Sequence, residues 1–422
     1  MNPTRRDWMR GVGAGAVGLS LLSCGDNERA APATTAIYEP TSDALLVSLW
    51  SRAAKAAHAI VELGGAIVMT QEIALDAAGF GVVDLVGLAP ATTYAVTVTT
   101  SEGLRLGPHR AVTAPRDDDP RAVRLIVSAD LDPIPEFENG LVAEIAAAEP
   151  DVFVSIGDFP YTDDGPVVAT TVDEYRDRHL ALRGAASVRP LFEAAAISAI
   201  YDDHEFRNNW DASFVAAEPA RYAAAMQVWD EYFPLRNTTG EIRYRSWRWG
   251  ANVEAFMLDC RRFRSADADP DGPGKTMLGA TQQAWFLAAI ARSTATFKLV
   301  FSSVPLDFGV GNDFWSSFAT ERDAIFAALV GIPGVVFFSG DQHWFAAHRH
   351  AHGIREFQVG PIARGLGTPE GTAPGVLFRS VQYNAAILDA TADALTITGL
   401  AADGTHFYTE TLTAAELTPT IG

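Results

Sequence analysis

Between residues 33 and 114, short apolar runs alternate with polar positions at a period of two, with turn residues between the runs. The stretch VVDLVGLAPATTYAVTVTT (82–100) carries the pattern most clearly and predicts strands of a small all-β sandwich. TAPRDDDPRAV (113–123) breaks it with Pro and Asp, so residues 115–121 read as a linker. From residue 122 onward the texture changes to apolar strand-like runs alternating with Ala-rich helical stretches. RLIVSAD, DVFVSIGD, FKLVFSS and GVVFFSGD read as strands; ENGLVAEIAAAEP, TQQAWFLAAIARS and ERDAIFAALVG read as helices. This half, 122–422, is therefore expected to be α/β, with sheet covered by helices.

The predicted strands share one feature, an acidic ending: Asp130, Asp158, Asp202 with Asp203, and Asp341. Ligand sites in α/β sheets gather at the carboxyl ends of strands, so side chains far apart in sequence can converge there. A single Gly-Asp after a strand is usually a turn. Repetition of the ending, twice with a nearby His (His204 and His343), points instead to bound cations. Two carboxylates about 4 Å apart repel by roughly 4 kcal/mol at an effective dielectric near 20, and a cation removes that cost. Oxygen and imidazole donors without thiolates suit calcium, manganese, magnesium or iron rather than a closed structural zinc.

Composition narrows the partners. The 422 residues are 48% hydrophobic and 20% charged, enough for two cored domains, and the formal net charge is -20. Such a surface repels phosphate backbones, and no nucleic-acid-binding surface is expected. RYRSWRW (243–249) reads as a strand with an aromatic face in the core rather than a nucleic-acid patch. HRHAH (348–352) could hold a metal from one strand face, but no carboxylate accompanies it in the sequence and a solvated edge is expected.

Residues 4–24, TRRDWMRGVGAGAVGLSLLSC, run from Arg5, Arg6 and Arg10 into a short apolar stretch ending at Cys24. The segment resembles a twin-arginine export signal, which implies removal of residues 1–23, a linker over 24–32 and a periplasmic or cell-surface protein. The alternative is an N-terminal anchor that is not cleaved. LLSC also resembles a lipobox, in which case Cys24 would be lipidated and provide the membrane contact. Cys24 and Cys260 are the two cysteines, so lipidation would leave no internal disulfide. The twin-arginine resemblance also implies export in the folded state, which suits a cofactor loaded before export. Within 33–114, the Leu88-x-Pro90-x-Thr92-x-Tyr94-x-Val96 spacing resembles fibronectin type III and immunoglobulin-like domains, with Tyr94 as a tyrosine corner.

GDFPY (157–161), YDDHEFRNNW (201–210), RYRSWRWGANVEAFMLDCRRFRS (243–265), LGATQQAWF (278–286) and SGDQHWFA (339–346) together resemble the motifs of the alkaline phosphatase D (PhoD) branch of metallophosphoesterases, in the family's order over about 122–365. The resemblance implies a β-sandwich core flanked by helices (α/β/β/α), preceded by the small immunoglobulin- or fibronectin-like domain. It implies two or more metal ions, Fe(III) or Ca(II), with Mn(II) an alternative. Asp158 would bridge them, Tyr161 would be the phenolate ligand to ferric iron, and Asp130, Asp203, Asp341 and His343 would complete the set. His204 would face the leaving group, and Asn208 and Asn209 would contact phosphate or metal. Arg261 would bind phosphate or pair with a carboxylate. Asp202 is expected to cap a turn and Glu205 to orient His204. Two positions depart from the pattern: Asp130 stands where well-known members carry Cys, and Ser303 stands where many place His, implying ligands from elsewhere.

The expected substrate is a phosphate mono- or diester, attacked in line by a metal-bound hydroxide. Barrier reductions near 20 kcal/mol are within reach of metal-assisted hydrolysis and beyond a lone general acid, worth about 10²- to 10⁴-fold. The alternatives are a phosphodiesterase directed at phospholipid head groups and a surface binding protein whose metal site is degenerate. Oligomeric state has no signature in the sequence.

Overall fold

The computed structural model describes residues 33–132, 134, 136–165, 167–236, 242–369 and 374–421. The twin-arginine-like segment, Cys24 and the linker after it lie outside the described residues. Among those described, no helix is long and apolar enough to cross a membrane.

Seven strands come first: β1 (Ala33–Tyr38), β2 (Ala44–Ser51), β3 (Ala56–Leu63), β4 (Ala66–Ala74), β5 (Phe80–Val86), β6 (Thr93–Thr100) and β7 (Arg105–Val112). β4-β3-β6-β7 form one sheet, which packs on β1, β2 and β5 through Val47, Leu49, Val61, Ile73, Val96 and Val98. The alternation seen in the sequence is thus the inside and outside of a sandwich. Tyr94 is buried and its hydroxyl accepts the Ala89 N–H at 2.9 Å, the contact of a tyrosine corner.

The remaining elements are β8 (Val123–Ser128), α1 (Leu141–Ala147), β9 (Val152–Ile156), α2 (Val172–Gly184), α3 (Arg189–Ala194), β10 (Ala196–Ile200), α4 (Ala212–Ala217), α5 (Pro219–Tyr232), β11 (Arg245–Trp249) and β12 (Val253–Met257). They continue with α6 (Gly279–Arg292), β13 (Phe297–Ser302), α7 (Ala319–Ala328), β14 (Val335–Ser339), β15 (Phe345–Arg349), β16 (Arg355–Gln358), β17 (Val376–Ser380), β18 (Asn384–Ala390), β19 (Leu395–Ala401) and β20 (His406–Leu412). Two sheets form the sandwich: a nine-stranded one, β20-β19-β18-β8-β9-β10-β1-β2-β5, and a seven-stranded one, β11-β12-β13-β14-β16-β15-β17. Their facing sides bury Val127, Val154, Ile156, Met257, Leu299, Phe301, Phe338 and Phe357. Each such side chain contributes about 1.5–3 kcal/mol by leaving water. Helices α1, α2, α3 and α5 cover one outer face through Ile145, Leu180, Phe192 and Trp229, and α6 and α7 cover the other through Phe286, Ile290 and Phe326. The result is the four-layered α/β/β/α arrangement.

β8, β9 and β10 are mutually parallel, as are β12, β13, β14 and β16, so their carboxyl ends meet at one rim. β1 pairs in parallel with β10 through Tyr38 and Ile197, which makes a sheet of the N-terminal sandwich continuous with the sheet that carries the site. β15 is not a solvated edge. It lies between β16 and β17, and His348 is buried. The expectation failed because the carboxylate beside these histidines, Glu356, comes from β16, directly opposite His348.

Candidate metal centre

Every strand-end acid falls at the shared rim. Asp130 follows β8, Asp158 follows β9, Asp202 and Asp203 follow β10, and Asp341 follows β14. Three of them, with His343 and Asn209, hold left-handed backbone: φ is 61° at Asp130, 56° at Asp158, 73° at Asp341, 60° at His343 and 53° at Asn209. Left-handed φ costs a non-glycine residue about 1–2 kcal/mol, so turning these side chains inward consumes stability. Two glycines make room. A Cβ on Gly157 would lie 2.6 Å from Asp202 Cβ, and one on Gly360 would lie 2.4 Å from Asp130 Oδ2.

The donors fall into overlapping groups. Asp130, Asp158 and His343 each bring a donor atom within 4.8 Å of the others, and so do Asp158, Asp203 and His204, and again Asp202, Asp203 and Asp341. Asp158 and Asp203 each belong to two groups, the position expected of carboxylates shared between neighbouring ions. Both oxygens of Asp130 and Oδ1 of Asp203 are buried without a hydrogen-bond partner. Buried anionic oxygens are rarely left so, and cations would satisfy them. The donor set therefore fits hard metal ions.

Neighbours fix the orientation of these donors. His343 Nδ1 faces the carbonyl of Gly365 at 2.5 Å and must carry the proton there, so in the neutral ring Nε2 presents its lone pair. Tyr161 Oη is 3.0 Å from that Nε2 and 3.0 Å from Asp158 Oδ2. Burial, then the charges of Asp158 and Asp130, push the Tyr161 hydroxyl well above its ordinary range, so it keeps its proton without a cation. Burial, then Asp203, Asp202, Asp130 and Glu205, push Asp158 well up, and burial with Asp313, Asp202 and Asp203 does the same to Asp341. Asp203 goes the other way. Against the cost of burial, Arg261, His204 and the Asn209 N–H, 2.6 Å from Oδ2, hold it below the carboxylate range.

Arg261 is wholly buried and pairs with carboxylates. Nε and Nη2 grip Asp202 at 2.5 and 2.9 Å, and Nη2 also lies 3.2 Å from Asp313 and 3.5 Å from Asp203. Asp202 is thus an ion-pair partner rather than a turn cap. Ser303 donates to the same Asp202 at 2.6 Å, so where a His was expected it serves the arginine's carboxylate. Glu205 accepts the N–H groups of Phe159 and Asp202, each at 3.0 Å, and does not orient His204. Burial and Asp202 raise it to about 8.

Asp163 takes the place expected of Glu205. Its Oδ1 is 2.7 Å from His204 Nδ1, while Oδ2 accepts the Asn208 N–H. Although burial opposes it, Asp203 and Asp163 raise His204 to about 9. Asn208 and Asn209 stand exposed at the rim, their backbone N–H groups tied to Asp163 and Asp203. Arg364 lies over the Tyr161 ring at 4.1 Å and pairs with Asp132 and Asp164. Sequence reasoning missed Asp163, Asp313 and Arg364. Asp163 had a weak signal, an acid two residues past Tyr161; Arg364 and Asp313 lie in loops with no motif.

A family model described as PhoD-like phosphatase matches residues 136–397, well over half of the chain. The protein belongs to the PhoD-like phosphatase family. Alkaline phosphatase D of Bacillus subtilis (strain 168) is 27% identical over 205 residues, which is 41% of this chain. The match spans about a third, 35%, of that relative's length. Among solved structures, PhoD superposes with a TM-score of 0.78 over 91% of this chain and 90% of its own, at 18% identity. A purple acid phosphatase from yellow lupin (Lupinus luteus) seeds superposes with a TM-score of 0.66 over 90% of this chain and 74% of its own, at 12% identity. These likenesses are of fold.

Proposed function

We propose that this protein is an exported phosphoesterase that hydrolyses phosphate mono- or diesters with two or more metal ions. One observation carries the reading: both oxygens of Asp130 and Oδ1 of Asp203 are buried without a hydrogen-bond partner around an Asp158 shared by two donor groups. Asp158 and Asp203 would hold two ions between them, with Asp130, His343 and Tyr161 on one side and Asp341 on the other. Such ions supply an activated water and neutralise charge developing on the phosphoryl oxygens. Iron, calcium and manganese all suit this donor set, and the Tyr161 hydroxyl would lose its proton only to a strongly acidic ion such as Fe(III).

The chain's own residues supply the rest. Because Nδ1 of His204 is engaged by Asp163, Nε2 is the nitrogen free to give a proton to the leaving oxygen. The raised pKa keeps that proton in place near neutrality. The carboxamides of Asn208 and Asn209 stand at the rim as donors for phosphoryl oxygens. Arg261 sets the carboxylates in place from beneath. Export rests on the resemblance of residues 4–24 to a twin-arginine signal, with lipidation at Cys24 the route to a membrane.

A chromogenic phosphodiester and phosphomonoester, assayed on chelated protein resupplied with calcium, manganese or iron, test the reading. Turnover that disappears with chelator and returns with metal is expected. No turnover of either ester under any metal would leave the binding-protein alternative standing, and release of head groups from vesicles in preference to soluble esters would move the substrate to phospholipid.

A further inference from the structure

β15 and β16 bring together a second set of donors at a separate place in the seven-stranded sheet. His348 and His350 lie two residues apart, so their side chains share a face, and Glu356 sits directly opposite His348 in the antiparallel register. A donor atom from each of the three lies within 4.8 Å of the other two. Glu356 is fully buried; Oε1 accepts the Leu306 N–H at 2.9 Å and the Ser339 hydroxyl at 2.5 Å, and Oε2 is 2.7 Å from His350 Nε2. The imidazoles are parallel within 9°, 5.4 Å apart. His348 is 1% exposed, and its Nε2 has no hydrogen-bond partner.

That last atom requires an explanation. A His350–Glu356 ion pair accounts for two of the three groups and leaves His348 Nε2 buried and unused, which costs about 1–3 kcal/mol. Burial lowers the His348 pKa, so the ring is neutral at physiological pH and offers a lone pair. Two imidazoles and one carboxylate held by two hydrogen bonds form a donor set of zinc type. It differs from the oxygen-rich rim, which suits harder ions. The His350 side chain is 5% exposed and that of Glu356 is fully buried.

We propose that His348, His350 and Glu356 form a separate binding site for one zinc-class divalent ion, with a structural role. Binding displaces the proton between His350 and Glu356 to solvent and joins β15 to β16. Since β15 begins two residues after His343, the ion also stiffens the loop that presents Asp341 and His343.

The test uses the full chain carrying Asp158→Ala and Asp203→Ala, which disables the rim without touching β15. Equilibrated with zinc and desalted, this protein should retain about one ion per chain and show a raised melting temperature. Adding His348→Gln should weaken retention by about 100-fold or more, beyond the roughly 10- to 100-fold typical of changes to groups that merely orient a ligand. Retention unchanged by His348→Gln, or no zinc retained at all, would overturn the proposal. Should the His348 variant not fold, X-ray absorption of the zinc-loaded rim variant decides. Two imidazole nitrogens at about 2.0 Å support the site, and an oxygen-only shell overturns it.

Discussion

Asp158→Asn tests whether the carboxylates of the rim repel one another, because its effect on stability should change sign with metal. Asp158 Oδ1 accepts the His204 N–H at 3.2 Å, and Oδ2 is the partner of the Tyr161 hydroxyl. An asparagine fits both, with its oxygen on His204 N–H and its amide donating to Tyr161 Oη while that hydroxyl turns to His343 Nε2. Hydrogen bonding is therefore conserved and the change is in charge. Two carboxylates with donor atoms within 4.8 Å of each other, as in the Asp158 groups, repel by about 3.5 kcal/mol or more at an effective dielectric of 20. Uptake of a proton by Asp158, favoured by burial and then by Asp203 and the other acids, relieves part of this. A net gain of about 1–3 kcal/mol is left for the variant without metal.

The measurement is a urea unfolding midpoint taken in chelator and again in saturating manganese. In chelator the variant should unfold at higher urea than the parent, by about 0.5 M if the slope is near 3 kcal/mol/M. In manganese the order should reverse, since the parent gains the linkage free energy of ions that the variant holds poorly. Phosphoesterase turnover should fall at least about 100-fold. A variant less stable than the parent in chelator would refute the reasoning, because it would mean that the acids around Asp158 do not repel it.

Asp163→Asn should lower kcat by about 10- to 100-fold with little change in KM, and less for a good leaving group such as nitrophenolate than for an alkoxide that needs the His204 proton. Arg261→Met should destabilise the metal-free protein by about 3–5 kcal/mol, read as a fall in the urea midpoint, because Asp202 loses its bidentate partner while buried. His179, buried and stacked on Tyr232, is held well below its ordinary pKa by burial and then by Arg183. The unfolded chain therefore binds the proton first, and stability should fall as pH drops below about 6.5, by roughly 1.4 kcal/mol per pH unit from this group. His179→Phe should flatten that slope in pH-dependent denaturation.

The sequence by itself determined the element types and the acids at strand ends. The period of two in 82–100 and the buried runs at β8, β9, β13 and β14 follow from short-range patterning, and each became a strand where expected. The motifs also carried the family: the backbone is left-handed at Asp158 and Asp341, φ is 117° at Gly157, and a Cβ on Gly340 would lie 2.7 Å from Ala129 Cβ. What pairs with what was not legible. Glu205 adjoins His204 in sequence, yet the turn after β10 sends it back to the N–H groups of Phe159 and Asp202, and Asp163 from another loop reaches the imidazole. HRHAH looked solvated because Glu356 stands opposite only once β15 and β16 pair. The β1–β10 pairing joins residues some 160 positions apart, as Tyr38 and Ile197 do. Local pattern fixes which face of a strand is apolar, since side chains alternate along the backbone; which strand lies alongside is decided by long-range packing, and hydrogen-bond partners and charge compensation come with that choice.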